Sequence, residues 1–146
     1  MIIQRVQLSG PMSGIADYNR PAFNQVAIEL RLRGFEVWNP AELNEENTAP
    51  FSWVHLMKKN VAALVWQDAL ITMDGWQTSK GARIEHWIAT ELEIHVFEWS
   101  LFKTHLDKIR SGMDHIMVSG LAVCPAEVSE LLPSLSESSD PATDGK

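Results

Sequence analysis

Cysteine is all but absent from this 146-residue chain, with Cys124 standing alone. A single thiol excludes an intramolecular disulfide and a cysteine-only zinc site, and it suits a reducing compartment. With no motif around it and an apolar run before it, Cys124 reads as a buried, inert thiol. Basic residues are also scarce, 12 Lys and Arg against 19 Asp and Glu, for a formal charge of -7. Holding nucleic acid by neutralising its phosphates needs clustered cations, so no nucleic-acid partner is expected. Nor is a membrane expected, because no stretch approaches the roughly 18 consecutive apolar residues of a spanning helix. Residues 1–8 lack the basic, apolar and small-residue succession of a secretory signal, which leaves the cytoplasm as the expected location. His86, His95, His105 and His115 fit no HExxH spacing, so no metal is expected.

What the chain does contain is enough apolar material for one core, 45% hydrophobic residues over a length suited to a single domain. Residues 2–8 read as an alternating apolar strand that stops at the turn-forming run Ser9-Gly10-Pro11-Met12-Ser13-Gly14. Over 19–33, Phe23, Val26, Ala27 and Leu30 recur at helical spacing before Gly34, predicting an amphipathic helix with a glycine C-cap. Residues 35–38 are a short strand ended by Asn39-Pro40, and the polar stretch to Pro50 is a loop able to cover a site. Ser52 caps a helix running to about Val65, with Val54, Met57, Val61 and Leu64 inward. Asp68 opens Ala69-Leu70-Ile71-Thr72-Met73, whose nearly unbroken apolarity predicts a central strand covered on both faces. A helix over 82–92 points Ile84, Ile88 and Leu92 inward, and 94–97 is the fourth strand.

This alternation predicts an α/β fold, a three-layer Rossmann-like or flavodoxin-like parallel sheet in a single domain, with ligands outside the C-terminal strand ends. Residues 100–109 are expected to form a further helix and 115–123 an edge strand. The organisation that follows is a body over 1–98, an extension over 99–126 packing on it, and a flexible acidic tail over 127–146.

Two loops on that sheet edge carry the chemistry. In Ser9-Gly10-Pro11-Met12-Ser13-Gly14, small residues let backbone N–H groups approach an anion, although the same run also serves as an ordinary strand-to-helix turn. Its spacing fits neither a P-loop nor a dinucleotide fingerprint. Thr78, Ser79 and Gly81 lie at a helix start, where free N–H groups suit a phosphate or carboxylate and where N-capping is the plainer role. Glu85 falls about one turn into that helix, near the boundary of its apolar face.

Together with Asp17-Tyr18-Asn19-Arg20-Pro21-Ala22-Phe23, Asn39-Pro40-Ala41-Glu42 and Gly75-Trp76-Gln77-Thr78-Ser79-Lys80-Gly81-Ala82-Arg83-Ile84-Glu85, the first loop resembles an uncharacterised phage and bacterial branch of the nucleoside 2-deoxyribosyltransferase-like superfamily, over about residues 4–98. The resemblance implies an N-glycosidic bond hydrolase, or a deoxyribosyl transferase, acting on 2′-deoxynucleosides or their 5′-monophosphates with no cofactor. It implies Glu85 as the group that attacks the anomeric carbon and Ser79 as the 5′-phosphate contact. Gly10, Ser13 and Gly14 would shape the sugar or phosphate end, with Asn19, Asp68 and Gly81 in the same substrate-binding set. Trp76 would stack on a base or simply pack. A homodimer or larger homo-oligomer is the implied assembly, in keeping with the six tryptophans, among them Trp53, Trp66, Trp87 and Trp99, as core or subunit-interface residues.

One departure from the superfamily pattern bears on catalysis. Counting back eight residues from Asp68, where an aspartate is usual, reaches Asn60. An amide cannot donate a proton as a carboxylic acid does, though it can bond a sugar hydroxyl. Asp74 beside the second loop is the next candidate acid, and His55 is placed either to reach the crevice or to sit on the helix surface. The competing readings are a non-catalytic nucleotide-binding or sequestering protein, and a protein-interaction factor using the tryptophan-rich surface and residues 99–146.

Overall fold

The run Ala69-Leu70-Ile71-Thr72 is buried at every position, as a strand is only when helices cover both of its faces. It forms β3 (Ala69–Thr72), which pairs in parallel with β1 (Arg5–Ser9) on one side and β4 (His95–Glu98) on the other. On the far side of β1 lies β2 (Glu36–Trp38), giving the order β2-β1-β3-β4. Helices α1 (Arg20–Leu32), α2 (Trp53–Leu64) and α3 (Lys80–Glu91) fill the crossovers, and α4 (Trp99–Ile116) follows β4. The computed structural model describes residues 3–44 and 52–116. The result is a three-layer α/β fold of the Rossmann-like kind, in the strand order with which flavodoxin-like sheets begin.

Parallel crossovers are right-handed, so the connection from β1 to β2 and those from β2 to β3 and β3 to β4 place their helices on opposite faces. On one face, Phe23, Val26, Ala27 and Leu30 of α1 and Phe102 and Leu106 of α4 meet Val6, Leu8, Ala69 and Ile71. Each such Leu or Phe contributes about 1.5–3 kcal/mol by leaving water. On the other face the buried apolar set is small: Leu64 of α2, Leu70 of β3 and Ala89 of α3, with Ile88, Ile94 and Val96 against them.

Several expectations shift. The strand expected over 2–8 is β1 at Arg5–Ser9, so Ser9 ends the strand instead of opening the loop. In α2 the buried residues are Asn60 and Leu64, while Val54, on the first turn, is exposed. In α3 the inward line is Gly81, Ala82, Glu85 and Ala89, and Leu92 is exposed one residue past the helix end. Counting apolar side chains missed that line because small residues and one carboxylate make it.

The helix expected over 100–109 extends across Trp99–Ile116. Phe102 and Leu106, one turn apart, anchor α4 in the core, and it is tied to α1 by Lys103 on Glu29 at 2.6 Å and by Arg33 on Asp107 at 2.5 Å. His115 and Ile116 therefore belong to this helix and not to an edge strand; the rest of that expected strand, Cys124, the tail over 127–146 and positions 45–50 of the covering loop lie outside the described residues. Among the described residues no helix is long and apolar enough to cross a membrane. Trp66 and Trp87 lie on the surface, 73% and 63% exposed, and not in the core.

Candidate functional site: a buried polar network around Glu85

In β1 the sequence alternates Val6, Gln7, Leu8, Ser9, and period-two geometry sends Gln7 and Ser9 to the face covered by α2 and α3. Both are fully enclosed, at 0% and 1% exposure. Polar side chains are expensive to bury unless they are bonded, so their partners define the site.

The principal partner is Glu85, 4% exposed on the second turn of α3. Ser79 starts that helix in register by accepting the Ala82 N–H at 3.2 Å. Gly81, Ala82 and Ala89 then keep its inner face small, so the helix axis lies close to the sheet and the Glu85 side chain reaches across to β1. At Gly81 a β-carbon would come within 3.0 Å of Met57 Sδ, so glycine also allows α2 and α3 to approach. The Ser9 hydroxyl donates a short hydrogen bond to Glu85 Oε2, and the Gln7 amide donates to Oε1 at 3.3 Å.

Gln7 Nε2 also donates to the main-chain carbonyl of Asn60 at 3.1 Å, which joins α2 to the network. The Asn60 side chain accepts from the indole N–H of Trp38, at the end of β2, at 3.1 Å. Four elements thus contribute to one buried polar cluster of Gln7, Ser9, Trp38, Asn60 and Glu85. It sits where crossovers leave the sheet in opposite directions, between the C-terminal halves of β1 and β3, the usual ligand position in open parallel sheets.

Burial pushes the Glu85 carboxyl up from 4.5 to about 7, and the bonds from Ser9 and Gln7 restrain that rise. Both donors are neutral, and among the described residues no ion pair to the carboxylate accompanies them. A carboxyl poised near neutrality can be a nucleophile, a base or an acid as its ionisation dictates.

The two glycine loops flank this cluster on the same sheet edge. Gly10 follows Ser9 so closely against β3 that a β-carbon there would lie 2.6 Å from Met73 Cβ. Ser13 and Gly14 are exposed, with Gly14 at φ 79, and Asn19, itself left-handed at φ 58, staples the loop by donating to the Pro11 carbonyl at 2.9 Å. On the second loop Asp74 is exposed, and Ser79 is half-buried with its hydroxyl engaged as the α3 cap. Trp76 stacks on His86 at 4.2 Å between ring centroids and 5° between planes, so one indole face is already covered. His55 is exposed on the first turn of α2.

Asp68 is a correction. It precedes β3 and therefore lies at the opposite, N-terminal edge of the sheet, where its carboxylate accepts the main-chain N–H groups of Gln4 at 3.0 Å and Arg5 at 2.7 Å, and Arg5 Nη2 at 3.2 Å. Burial raises the Asp68 pKa less than these bonds lower it, so the carboxyl titrates below its usual range while fastening β1 to β3 away from the crevice.

Sequence reasoning overlooked Gln7 and Trp38 and placed Ser9 only in a loop. The signal for Gln7 was present: a strand interior to a parallel sheet reads as a continuous apolar run, and polar residues two apart break it on one face. Trp38 carried no such signal. Among the described residues no three of His, Cys, Asp and Glu gather as a metal site requires.

Compared with known proteins, residues 4–98 match the family described as "Domain of unknown function (DUF4406)". No curated protein matches the chain.

Proposed function

The chain belongs to the DUF4406 family, a domain of unknown function, and we propose that its crevice binds a 2′-deoxynucleoside or 2′-deoxynucleoside 5′-monophosphate and cleaves the N-glycosidic bond with Glu85 as nucleophile. The observation that carries this reading is the buried, hydrogen-bonded Glu85 carboxyl at the switch point of the sheet, with its ionisation poised near neutrality. The likeness of the two glycine loops to the nucleoside 2-deoxyribosyltransferase-like superfamily supplies the substrate class.

In this mechanism Glu85 Oε attacks C1′ as the C1′–N bond breaks, through an oxocarbenium-like state. The bonding pair leaves with the base, which takes up a proton. Water then attacks C1′, releases the sugar and returns the Glu85 carboxylate, so that one water is consumed per bond cleaved. Ser9 and Gln7 orient the carboxylate, and Ser79 with the N–H groups of the glycine loops takes the 5′-phosphate. Hydrolysis is favoured over base transfer because no second base pocket is marked by the residues around Glu85. Trp76 would stack on a base with the face opposite His86.

A non-catalytic nucleotide-binding or sequestering role is the second reading. It is favoured by one observation, that Glu85 is the only buried carboxylate among the described residues, while Asn60 carries an amide where the superfamily likeness implies an acid. Asp74, exposed beside the second loop, is the remaining acid nearby in sequence.

The two readings separate on incubation with a panel of deoxynucleosides and their 5′-monophosphates, followed by chromatography for free base. Base release by the natural chain, absent in Glu85→Gln, supports the enzyme; tight binding without release supports sequestration.

A further inference from the structure

Gln7 offers one amide, with two hydrogens and one oxygen, to an enclosure that presents two acceptors. The Asn60 main-chain carbonyl, 3.1 Å from Nε2, has no proton to give, and Glu85 Oε1, 3.3 Å from the same nitrogen, has none while ionised. Turning the amide over would set oxygen against the carbonyl, so Asn60 fixes which end of Gln7 faces Glu85. The cost of that choice is visible, because Gln7 Oε1 is buried and has no hydrogen-bond partner. A residue serving only to fill space beside Leu70 would be better replaced by an apolar side chain, as the register partner Leu70 itself shows.

From this geometry we infer that Gln7 is the positioning residue of the site: its amide, locked by the Asn60 carbonyl, aims a donor at Glu85 and so fixes the orientation of the carboxylate and favours its ionised form. A neutral Glu85 protonated on Oε1 would face the Gln7 N–H groups donor to donor, whereas the carboxylate accepts from Gln7 and Ser9 at once. Among the described residues, no charged side chain is seen to share this task. On α3, Lys80 lies over the Trp53 ring, Arg83 bonds the Gln77 carbonyl and His86 stacks on Trp76. Toward Glu85, β1 contributes the neutral Gln7 and Ser9, α2 the neutral Asn60, and the influences on its ionisation are burial, Ser9 and Gln7.

The assignment deepens the proposed role of Glu85 as nucleophile, yet its test does not need turnover. The carboxyl carbon of Glu85, assigned by its loss in Glu85→Gln, is titrated by 13C NMR in the full chain, in Gln7→Met and in Gln7→Glu. In Gln7→Met, which keeps the length of the side chain and removes the donor, the midpoint rises by about one to two pH units, the size of one lost charge-assisted hydrogen bond. In Gln7→Glu, two carboxyls share the Asn60 carbonyl and each other, and the pair titrates in two separated steps. An unmoved midpoint in folded Gln7→Met overturns the assignment. Should that variant fail to fold, a single unshifted midpoint in Gln7→Glu overturns it equally. Where base release is measurable, Gln7→Met lowers kcat at pH 7 with little change in KM and moves the pH profile upward with the NMR midpoint. Absence of base release by the natural chain at any pH counts against the proposed reaction, and leaves the NMR result to decide the role of Gln7.

Discussion

The two faces of the sheet are covered alike by pairs of helices, yet their interiors differ. Under α1 and α4, β1 and β3 present Val6, Leu8, Ala69 and Ile71 to an apolar core. Under α2 and α3 the same two strands present Gln7, Ser9, Leu70 and Thr72, and the helices answer with Asn60 and Glu85. Both interiors are buried, so exposure to solvent does not explain the polar residues. Five buried polar groups where aliphatic side chains would pack at less cost set the second face apart as the proposed site, and the first as the one that holds the fold together.

If that division is right, substitutions on the two faces fail in different ways. The largest effect is on the polar face: Glu85→Gln lowers base release at least about 10³-fold while the far-UV spectrum and cooperative unfolding persist, since an amide keeps the shape but neither attacks carbon nor balances positive charge. Next, Asn60→Asp places a carboxyl beside Trp38 Nε1 and raises base release, general acid assistance being typically worth ~10²–10⁴ in rate. If rate is unchanged in an already active chain, the acid lies elsewhere and Asp74→Asn becomes the informative variant. On the apolar face, Phe102→Ala costs about 3–5 kcal/mol in denaturant unfolding, with base release per folded molecule preserved. A loss of activity out of proportion to folding would erase the distinction between the faces.

The comparison sharpens with pH. The unfolded Glu85 carboxyl titrates near 4.5 and the folded one near 7, so between those values the folded chain holds a proton that the unfolded chain releases. Stability from this group is therefore fully present below about pH 4.5, falls as pH rises through 7, and levels off above, a loss of roughly 3 kcal/mol. Unfolding free energies at pH 5 and pH 8, compared between the natural chain and Glu85→Gln, isolate that slope, which the variant lacks. The smallest effect belongs to the rim. Ser79→Ala loses the α3 cap at a cost of about 1 kcal/mol and weakens a 5′-monophosphate more than the matching nucleoside in calorimetric titration; equal weakening of both would remove Ser79 from the phosphate contact.

Most of the apolar face was legible in the sequence. Phe23, Val26, Ala27 and Leu30 recur at helical spacing, Ala69 and Ile71 belong to an unbroken apolar run, and each lies in the core. The polar face was legible only in part. Glu85 was singled out by its place about one turn into a helix together with the superfamily likeness, but its depth was not legible, since Gly81, Ala82 and Ala89 carry little periodic signal although they let α3 approach the sheet. Gln7 was hidden by an alternation that resembles a half-exposed strand, whereas both sides of β1 are covered. Asp68 was misplaced because sequence adjacency to a strand does not say which end of the sheet a residue occupies, and only residues after a parallel strand face the crevice. The ion pairs that tie α4 to α1, Lys103 to Glu29 and Arg33 to Asp107, join residues some seventy positions apart in sequence, which no local pattern announces.

The most direct test of the account is covalent capture at Glu85. The chain is incubated with a 2′-fluoro-substituted nucleoside or its 5′-monophosphate, whose electron-withdrawing fluorine slows breakdown of a glycosyl intermediate more than it obscures recognition, then quenched in acid and digested for mass spectrometry. The account predicts release of one equivalent of base and a peptide containing Glu85 heavier by the fluorinated sugar, with neither event in Glu85→Gln. Base release with the added mass on another residue, or undiminished release by Glu85→Gln, would contradict it.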